Sequence, residues 1–366
     1  MKKTFEEVVL FARTGLNPRQ NFKLGQGNNN YITIKNIKNN SLVIDDNTDV
    51  VDDEAIKLIH KRSQIKKGDV LFASIGRMGD MFIIEEEPIG WDINESVFAF
   101  TLNTNIVKQK YFYYIFRVKS TLDYLISNSS GSTFKSIKMN QLKKMVFDIP
   151  PLEEQDYIIS VLDKVCDVIE KRKQELEFLD TLIKARFVEL FGDVQREEKY
   201  KGIQLRELCT TMSGGTPSTK FPEYYEGDIP WISTVSLGPN HIDGSTAKGY
   251  ITHEAIDNSA TKLIPAGNIL FGTRVGVGKS SLNDVDICTN QDIVAIVGID
   301  ESKFKRLFIK HVLDAYQPYY DSIKKGATIL GITGDDLKDT LIPDASIEVQ
   351  MEYEAFVEQV DKSKVA

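Results

Sequence analysis

"KKGDVLFASIGRMG" (66–79) and "PAGNILFGTRVGVG" (265–278) are one pattern written twice, with Gly68 falling on Gly267, and that repetition decides the fold. Working outward from it, "NNYITIKNI" (29–37) echoes "IPWISTVSL" (229–237), placing Tyr31 on Trp231. "INESVFAF" (93–100) corresponds to "TNQDIVAI" (289–296). "GSTFKSIKMNQLKKMVFDIPPLEEQ" (131–155) pairs with "GATILGITGDDLKDTLIPDASIEVQ" (326–350), Gln155 on Gln350. The offset slides from 200 (29 to 229) to 195 (131 to 326), as small loop deletions produce. A period this long is a duplicated domain, not a solenoid unit. Each copy has an amphipathic start, a Gly/Asn/Pro-rich loop and an alternating strand. A glycine turn then opens an apolar strand, and a helical stretch rich in aromatics closes the copy. The class is α/β: two duplicated mixed α/β domains, 1–150 and 193–345, separated by long coiled-coil helices.

The run Gly278-Lys279-Ser280 invites a nucleotide-binding reading, and three features argue against it. A phosphate-cradling loop needs Gly-x4-Gly-Lys-Ser/Thr leading into a helix, but the first glycine position holds Thr273. The following "LNDVDICTNQDIVAIV" alternates as strands do, so no helix N-terminus stands ready for phosphate. The equivalent "ASIGRMGDMF" (73–82) has neither lysine nor serine at the needed positions. The loop reads as a hairpin whose Arg274 and Lys279, and Arg77 in the first copy, face something anionic.

Between the copies the period changes. Ile158, Leu162, Val165, Ile169, Arg172, Leu176, Leu179, Ile183, Arg186 and Leu190 step by four and three, a heptad seam. Pro151, Glu153 and Glu154 suit a helix start and Gly192 its end. A helix over 153–190 is roughly 57 Å long at about 1.5 Å per residue, a spacer assigned to 151–192. The second copy begins the same helix: Tyr353, Val357 and Val360 fall on Ile158, Leu162 and Val165, giving a shortened distal helix over 346–366. Arg172 and Arg186 either fix register or bind a partner. With the helices antiparallel, the far half of the seam (Leu176, Leu179, Ile183, Leu190) is expected to lack a complete mate. Either another chain covers it or the protein is truncated.

Composition bounds the rest. The chain has 366 residues, 42% hydrophobic and 27% charged, enough for two or three ordinary domains. No apolar run approaches the roughly eighteen residues of a membrane span. Glu6 and Glu7 interrupt what would be a signal-peptide core, so a cytoplasmic location and no membrane partner are expected. Cys166, Cys209 and Cys288, and likewise His60, His241, His253 and His311, are scattered without metal-ligand spacing. Net charge is −8, yet "KLIHKRSQIKK" (57–67), "KSIKMNQLKK" (135–144) and "KFKRLFIK" (303–310) carry cations and no acid, which suggests a patterned surface.

Two α/β modules joined and closed by helices, with paired "GDVLF"/"GNILF" turns, "GST…IPPLEEQ", "GAT…" and "FVEQVDKSK" (356–364), resemble the specificity subunit of type I restriction–modification systems. The resemblance spans the chain, with two departures: "PDASIEVQ" (343–350) in place of a second "PPLEEQ", and the short distal helix. It implies two target-recognition domains, each reading half of a bipartite site in double-stranded DNA. The helices act as a ruler for the unread spacer and dock two methyltransferase subunits. Those use S-adenosylmethionine to methylate adenine, and restriction (motor) subunits with ATP and magnesium cut unmodified DNA. The specificity chain itself performs no chemistry and takes no cofactor. Consistent with this, no Asn/Asp-Pro-Pro-Tyr/Phe motif occurs.

DNA binding requires cations for phosphates and planar amides or guanidinium groups for base edges. The first copy offers Arg19, Gln26, Asn28, Asn29 and Asn30, with phosphate contacts expected at Lys35, Arg77, Ser132, Thr133 and Lys135. The second offers Thr216, Ser218, Lys220, Arg274, Lys279, Lys324, Lys325 and Thr328. Asn, Gly and Ser also suit turns on their own account. Gly131 and Gly326 are expected in tight turns where backbone approaches phosphate. Two rival classes remain: a methyltransferase or nuclease with built-in recognition domains, and a protein-interaction scaffold that binds no DNA. Within the family, a self-dimer through the incomplete coiled coil is a further variant.

Overall fold

Each copy of the repeat folds around a strand buried on both faces, Val70–Ala73 and Ile269–Gly272. An all-apolar "VLFA" or "ILFG" run fits this position, because neither face meets water. The computed structural model describes residues 1–38, 41–131, 134–196, 199–326 and 329–365. The chain divides into two units, Met1–Lys171 and Arg172–Ala366.

In the first unit the strand lies in an antiparallel sheet with Val97–Leu102, Val9–Thr14 and Met81–Ile83. Strand alternation splits its side chains between two cores. Val70, Phe72, Phe98 and Phe100 join Phe5, Phe112, Phe116 and Phe147 on one face. Leu71, Val97 and Ala99 join Ile32, Ile37 and Ile93 on the other. A smaller sheet places Asn29–Ile32 parallel to Trp91–Ile93 and antiparallel to Val50–Val51. Helix Asp53–Ser63 follows, its start capped by Asp52 accepting from Glu54 and Ala55 N–H at 3.1 and 2.8 Å.

The second unit repeats the plan. Ile269–Gly272 pairs with Ile293–Val297 and Ser280–Asn283, and Ile269, Phe271, Val294 and Ile296 face one core. Leu270, Ile293 and Ala295 face the other. Ile229–Ile232 lies between Gly249–Ile251 and Cys288–Thr289. The duplicated ring keeps one job: the Tyr31 hydroxyl donates to Leu16 O at 2.6 Å, and Trp231 Nε1 donates to Gly215 O at 3.1 Å.

The central helix runs over Leu152–Phe191, roughly 60 Å at about 1.5 Å per residue. In the first unit Asp163 accepts from Lys110 Nζ and from the Tyr114 hydroxyl, each at 2.6 Å. Ile158 and Leu162 are half-buried there, while Val165 and Ile169 are exposed. In the second unit the distal helix, Ile347–Val365, lies antiparallel to the helix's far half. Arg186 pairs with Glu352, and Arg172 Nη2 donates to Lys364 O at 2.9 Å. Both arginines therefore fix register between the helices.

This pairing corrects the expectation that the far half lacks a mate. Ile183 and the partly buried Leu179 and Leu190 pack into one core with Tyr353, Val357 and Val360. Leu176 is half-buried. The distal helix starts beside the central helix's C-terminal end, so an antiparallel path covers the far half first. The bare seam is instead the near half: Val161, Val165, Val168 and Ile169 are 42%, 49%, 66% and 50% exposed.

A buried polar network also ties the distal helix to its unit. Lys310 Nζ donates to Asn240 Oδ1 at 2.9 Å and Asp314 Oδ2 at 2.8 Å, and Asn240 Nδ2 donates to Asp361 at 2.9 Å. His311 Nε2 lies 2.8 Å from Asn240 Oδ1, which only accepts, so this nitrogen carries the hydrogen. Nδ1 then accepts from the Tyr353 hydroxyl at 2.6 Å. Burial, with Lys310 and Lys364 nearby, holds the imidazole well below its ordinary 6.5. Below that value the unfolded chain binds a proton that the folded one refuses. The second unit is therefore expected to lose up to about 1.4 kcal/mol per pH unit as pH falls through this range. Urea melts at pH 7.5 and 5 should show a flatter dependence for His311→Gln. Equal pH dependence in both proteins would remove His311 as the cause.

Among the described residues no helix is long and apolar enough to cross a membrane, and no group of three or more His, Cys, Asp or Glu is placed to hold a metal ion.

Candidate nucleic-acid interface

Three segments far apart in the first copy are tied together by hydrogen bonds to backbone oxygens. The hairpin loop after Val70–Ala73 reaches the turn at 33–38 through Arg77 Nη2, which donates to Ile37 O at 2.8 Å. It reaches the loop at 130–136 through Gly76 N–H, which donates to Lys135 O at 3.0 Å. Ile137 N–H donates to Ser74 O at 2.9 Å, and Ser130 and Ser136 exchange bonds at 2.9 and 2.8 Å. Lys35, Arg77 and Lys135 are exposed on these joined segments. The turn carrying Lys35 is stiff: buried Asn36 accepts from Thr33 N–H at 2.9 Å and donates to Val43 O at 3.0 Å. Lys38, exposed on the same turn, was missed in the sequence, although "KNIK" held the signal.

The second copy repeats the hairpin and its junction with the loop at 325–331. The loop at 273–279 closes with Gly278 N–H donating to Gly272 O at 3.0 Å and leads into strand Ser280–Asn283, as a hairpin and not a P-loop. Ile332 N–H donates to Thr273 O at 2.8 Å, the counterpart of Ile137 on Ser74. Lys325 and Gly331 exchange bonds at 2.9 and 3.0 Å, the counterpart of Ser130 and Ser136. Arg274, Lys279 and Lys325 are exposed there, with Arg274 3.6 Å from Asp292. Lys324 pairs with Asp321. Thr216 adjoins this group, because its hydroxyl donates to Gln291 at 2.5 Å, next to Asp292.

Gly131 and Gly326 occupy equivalent turns at φ +112° and +145°, where L side chains are strained. A Cβ there would stand 2.3 Å from Phe134 O and 2.2 Å from Ile329 O. Both loops carry an exposed apolar side chain, Phe134 at 72% and Ile329 at 54%, which the sequence reading did not single out. Ser132, Thr133 and Thr328 lie outside the described residues.

Other sequence candidates are placed apart from these groups. Arg19, Gln26 and Asn28 are exposed on the loop before Asn29–Ile32, at the opposite end of that strand from Lys35. Asn29 and Asn30 are half-buried, and Asn29 Nδ2 donates to Asp53 at 2.9 Å. Ser218 and Lys220 are exposed further along the loop from Thr216. Two of the basic runs have local roles. His60, Lys61 and Arg62 fill the last turn of Asp53–Ser63, where cations offset the helix dipole. Lys310, in the third run, is buried in the Asn240 network and not on a surface.

The family described as the type I restriction modification DNA specificity domain matches residues 1–178 and 197–366. The chain is 28% identical over 192 residues to the type I restriction enzyme MjaIX specificity subunit of Methanocaldococcus jannaschii, covering 52% of this chain and 42% of that protein. It is 31% identical over 215 residues to the EcoR124I/EcoR124II specificity subunit of Escherichia coli, covering 57% of this chain and 51% of that one. The chain thus spans about half the length of these two relatives. A crystal structure of a type I restriction–modification S subunit from M. genitalium superposes with a TM-score of 0.56 at 14% identity, covering 100% of this chain and 90% of that one. That likeness is one of fold.

Proposed function

The chain belongs to the type I restriction–modification DNA specificity family, and from that premise we propose that it is the DNA-recognition subunit of a type I complex. The domains at 1–150 and 193–345 each read one half of a bipartite site in double-stranded DNA. The helices at 151–192 and 346–366 set the unread spacer and dock two methyltransferase subunits, which recruit restriction subunits. The chain works in the cytoplasm and carries out no chemistry itself. The observation that carries this reading is a repeated loop junction that bears exposed cations in both copies, although at different positions of the repeat. Equivalent backbone bonds, Ile137 to Ser74 and Ile332 to Thr273, join the hairpin loop to the Gly131 or Gly326 loop, and exposed cations stand on these loops, Arg77 and Lys135 in one unit and Arg274, Lys279 and Lys325 in the other. Turn chemistry alone gives no reason for both copies to place cations there.

Cations on phosphate release counterions, so affinity falls as salt rises, with a log–log slope near −0.9 per contact. With Lys35, six such contacts predict a slope of roughly −5 for the chain on duplex DNA. A scaffold would show no DNA affinity to lose. The target follows from adenine methylation mapped across the genome of cells that express the chain with a matching, active methyltransferase subunit. Two short half-sites around a fixed gap support the reading, and no new methylation counts against it.

The near half of the central helix favours a protein partner in addition to DNA, because Val161, Val165, Val168 and Ile169 stand exposed on it. We assign this face to a methyltransferase subunit. Light scattering distinguishes that from self-association: a second copy on the same face would make the chain alone a dimer.

A further inference from the structure

Both copies anchor a long helix with the same buried side chain. Gln155 and Gln350 are each the fourth residue of their helix and are fully buried. Gln155 Oε1 accepts from Lys108 N–H at 2.9 Å, and its Nε2 donates to Ile106 O and Pro150 O, each at 2.8 Å. Gln350 Oε1 accepts from Lys305 N–H at 2.8 Å, and its Nε2 donates to Lys303 O at 3.1 Å and Ala345 O at 2.8 Å. The partners match one for one. Lys108 and Lys305 are the N-cap residues of helices Gln109–Ile115 and Arg306–Ala315, and Pro150 and Ala345 each precede the glutamine by five residues.

A planar amide bonded at three points fixes both the rotation and the tilt of the helix's first turn on its own domain. The next turns are braced at the surface in the first unit, by Lys108 on Asp156 and by Lys110 and Tyr114 on Asp163. The leverage is large. One base pair advances duplex DNA by about 3.4 Å and about 35°. A tilt of only about 3° at the first turn moves the far end of a roughly 60 Å helix by the same distance.

We propose that Gln155 and Gln350 are positioning residues for site recognition: they set the gap between the two half-sites by fixing the direction in which each long helix leaves its domain. They touch no DNA, since both are buried. This inference rests on the DNA-recognition reading above.

The test uses the full chain and a duplex library in which both half-sites and the gap between them are randomised. Wild-type protein is expected to select one gap. Gln155→Met is expected to select the same half-sites while its preference for that gap over its one-base-pair neighbours falls by about tenfold, equivalent to about 1.4 kcal/mol. A general loss of stability would lower binding to all gaps alike and leave the preference unmoved. Should Gln155→Met fail to fold in a thermal melt, Asp163→Ala carries the test, with a smaller shift in the same direction. An unmoved gap preference in the variants, with wild type selecting a split motif, overturns this inference alone. Wild type selecting no split motif overturns the DNA reading and this inference with it.

Discussion

Phe191→Ala is expected to destabilise the second unit by about 3–5 kcal/mol, the range for an aromatic lost from a packed core. Phe191 is 1% exposed at the last position of the central helix. Its ring stands 4.5 Å from Phe308, 5.1 Å from Phe187 and 5.4 Å from Tyr353, the last edge-on at 87°. Those three rings come from the central helix, the helix at Arg306–Ala315 and the distal helix, so one truncation loosens all three elements. Edge-to-face pairs add about 0.5–1.5 kcal/mol each beyond the area they bury. The chain's two tryptophans fall one in each unit, Trp91 and Trp231. In a Trp91→Phe background the fluorescence of Trp231 reports the second unit during a urea titration. Phe178→Ala on the same helix is the control, because Phe178 is 67% exposed and should change stability by less than about 0.5 kcal/mol. A loss below about 1 kcal/mol at Phe191 would mean that the aromatic cluster does not hold the helices to the unit.

Phe187 and Phe191 also show where the sequence stops being readable. A strict step of four and three from Ile183 leads to Arg186 and Leu190. An α-helix turns 3.6 residues, not 3.5, so the buried face drifts about 20° per heptad. Over the long seam the drift carries burial onto Phe187 and Phe191, while Arg186 moves to the flank and pairs with Glu189 and Glu352. Periodicity thus showed that a long helix exists and which face is apolar, but not what covers that face. The near half shows the same limit from the other side: Ile158 and Leu162 kept the period and are half-buried, while Val165 and Ile169 kept it and are bare.

The duplication was legible because turns and doubly buried strands tolerate few residue types. A glycine must open the turn, and "VLFA" and "ILFG" must stay apolar where no face meets water. The candidate site was legible only in pieces. Lys35, Arg77 and Lys135 lie 42 and 58 residues apart (35 to 77 to 135), and no local pattern announces that a guanidinium bonds Ile37 O or that Gly76 bonds Lys135 O. Basic runs misled where a helix explained them, as at His60–Arg62, or where an internal partner did, as at Lys310. What the repeat marked was therefore not the cations, which fall on unequal positions, but the paired glycines of the two loops, Gly131 and Gly326.

That argument makes Gly326→Val the sharpest test of the site itself. Valine at φ +145° is strained, and its Cβ would meet Ile329 O at 2.2 Å, so the loop must move. Strain of this kind is on the order of 1–3 kcal/mol, and relieving it displaces Lys325 from its bonds with Gly331. If the turn brings backbone and Lys325 to phosphate, affinity for specific and non-specific duplexes should fall together, by roughly 10- to 100-fold. The salt slope should shrink by about 1, the share of one phosphate contact. Gly131→Val should do the same from the first unit, because its turn is built alike. Gly249→Ala is the neutral comparison: nothing stands within 4 Å of the added carbon. Filter binding at several salt concentrations separates the outcomes. A change in preferred sequence without loss of non-specific affinity would make this turn a base reader, whereas unchanged binding with a folded protein would remove it from the interface.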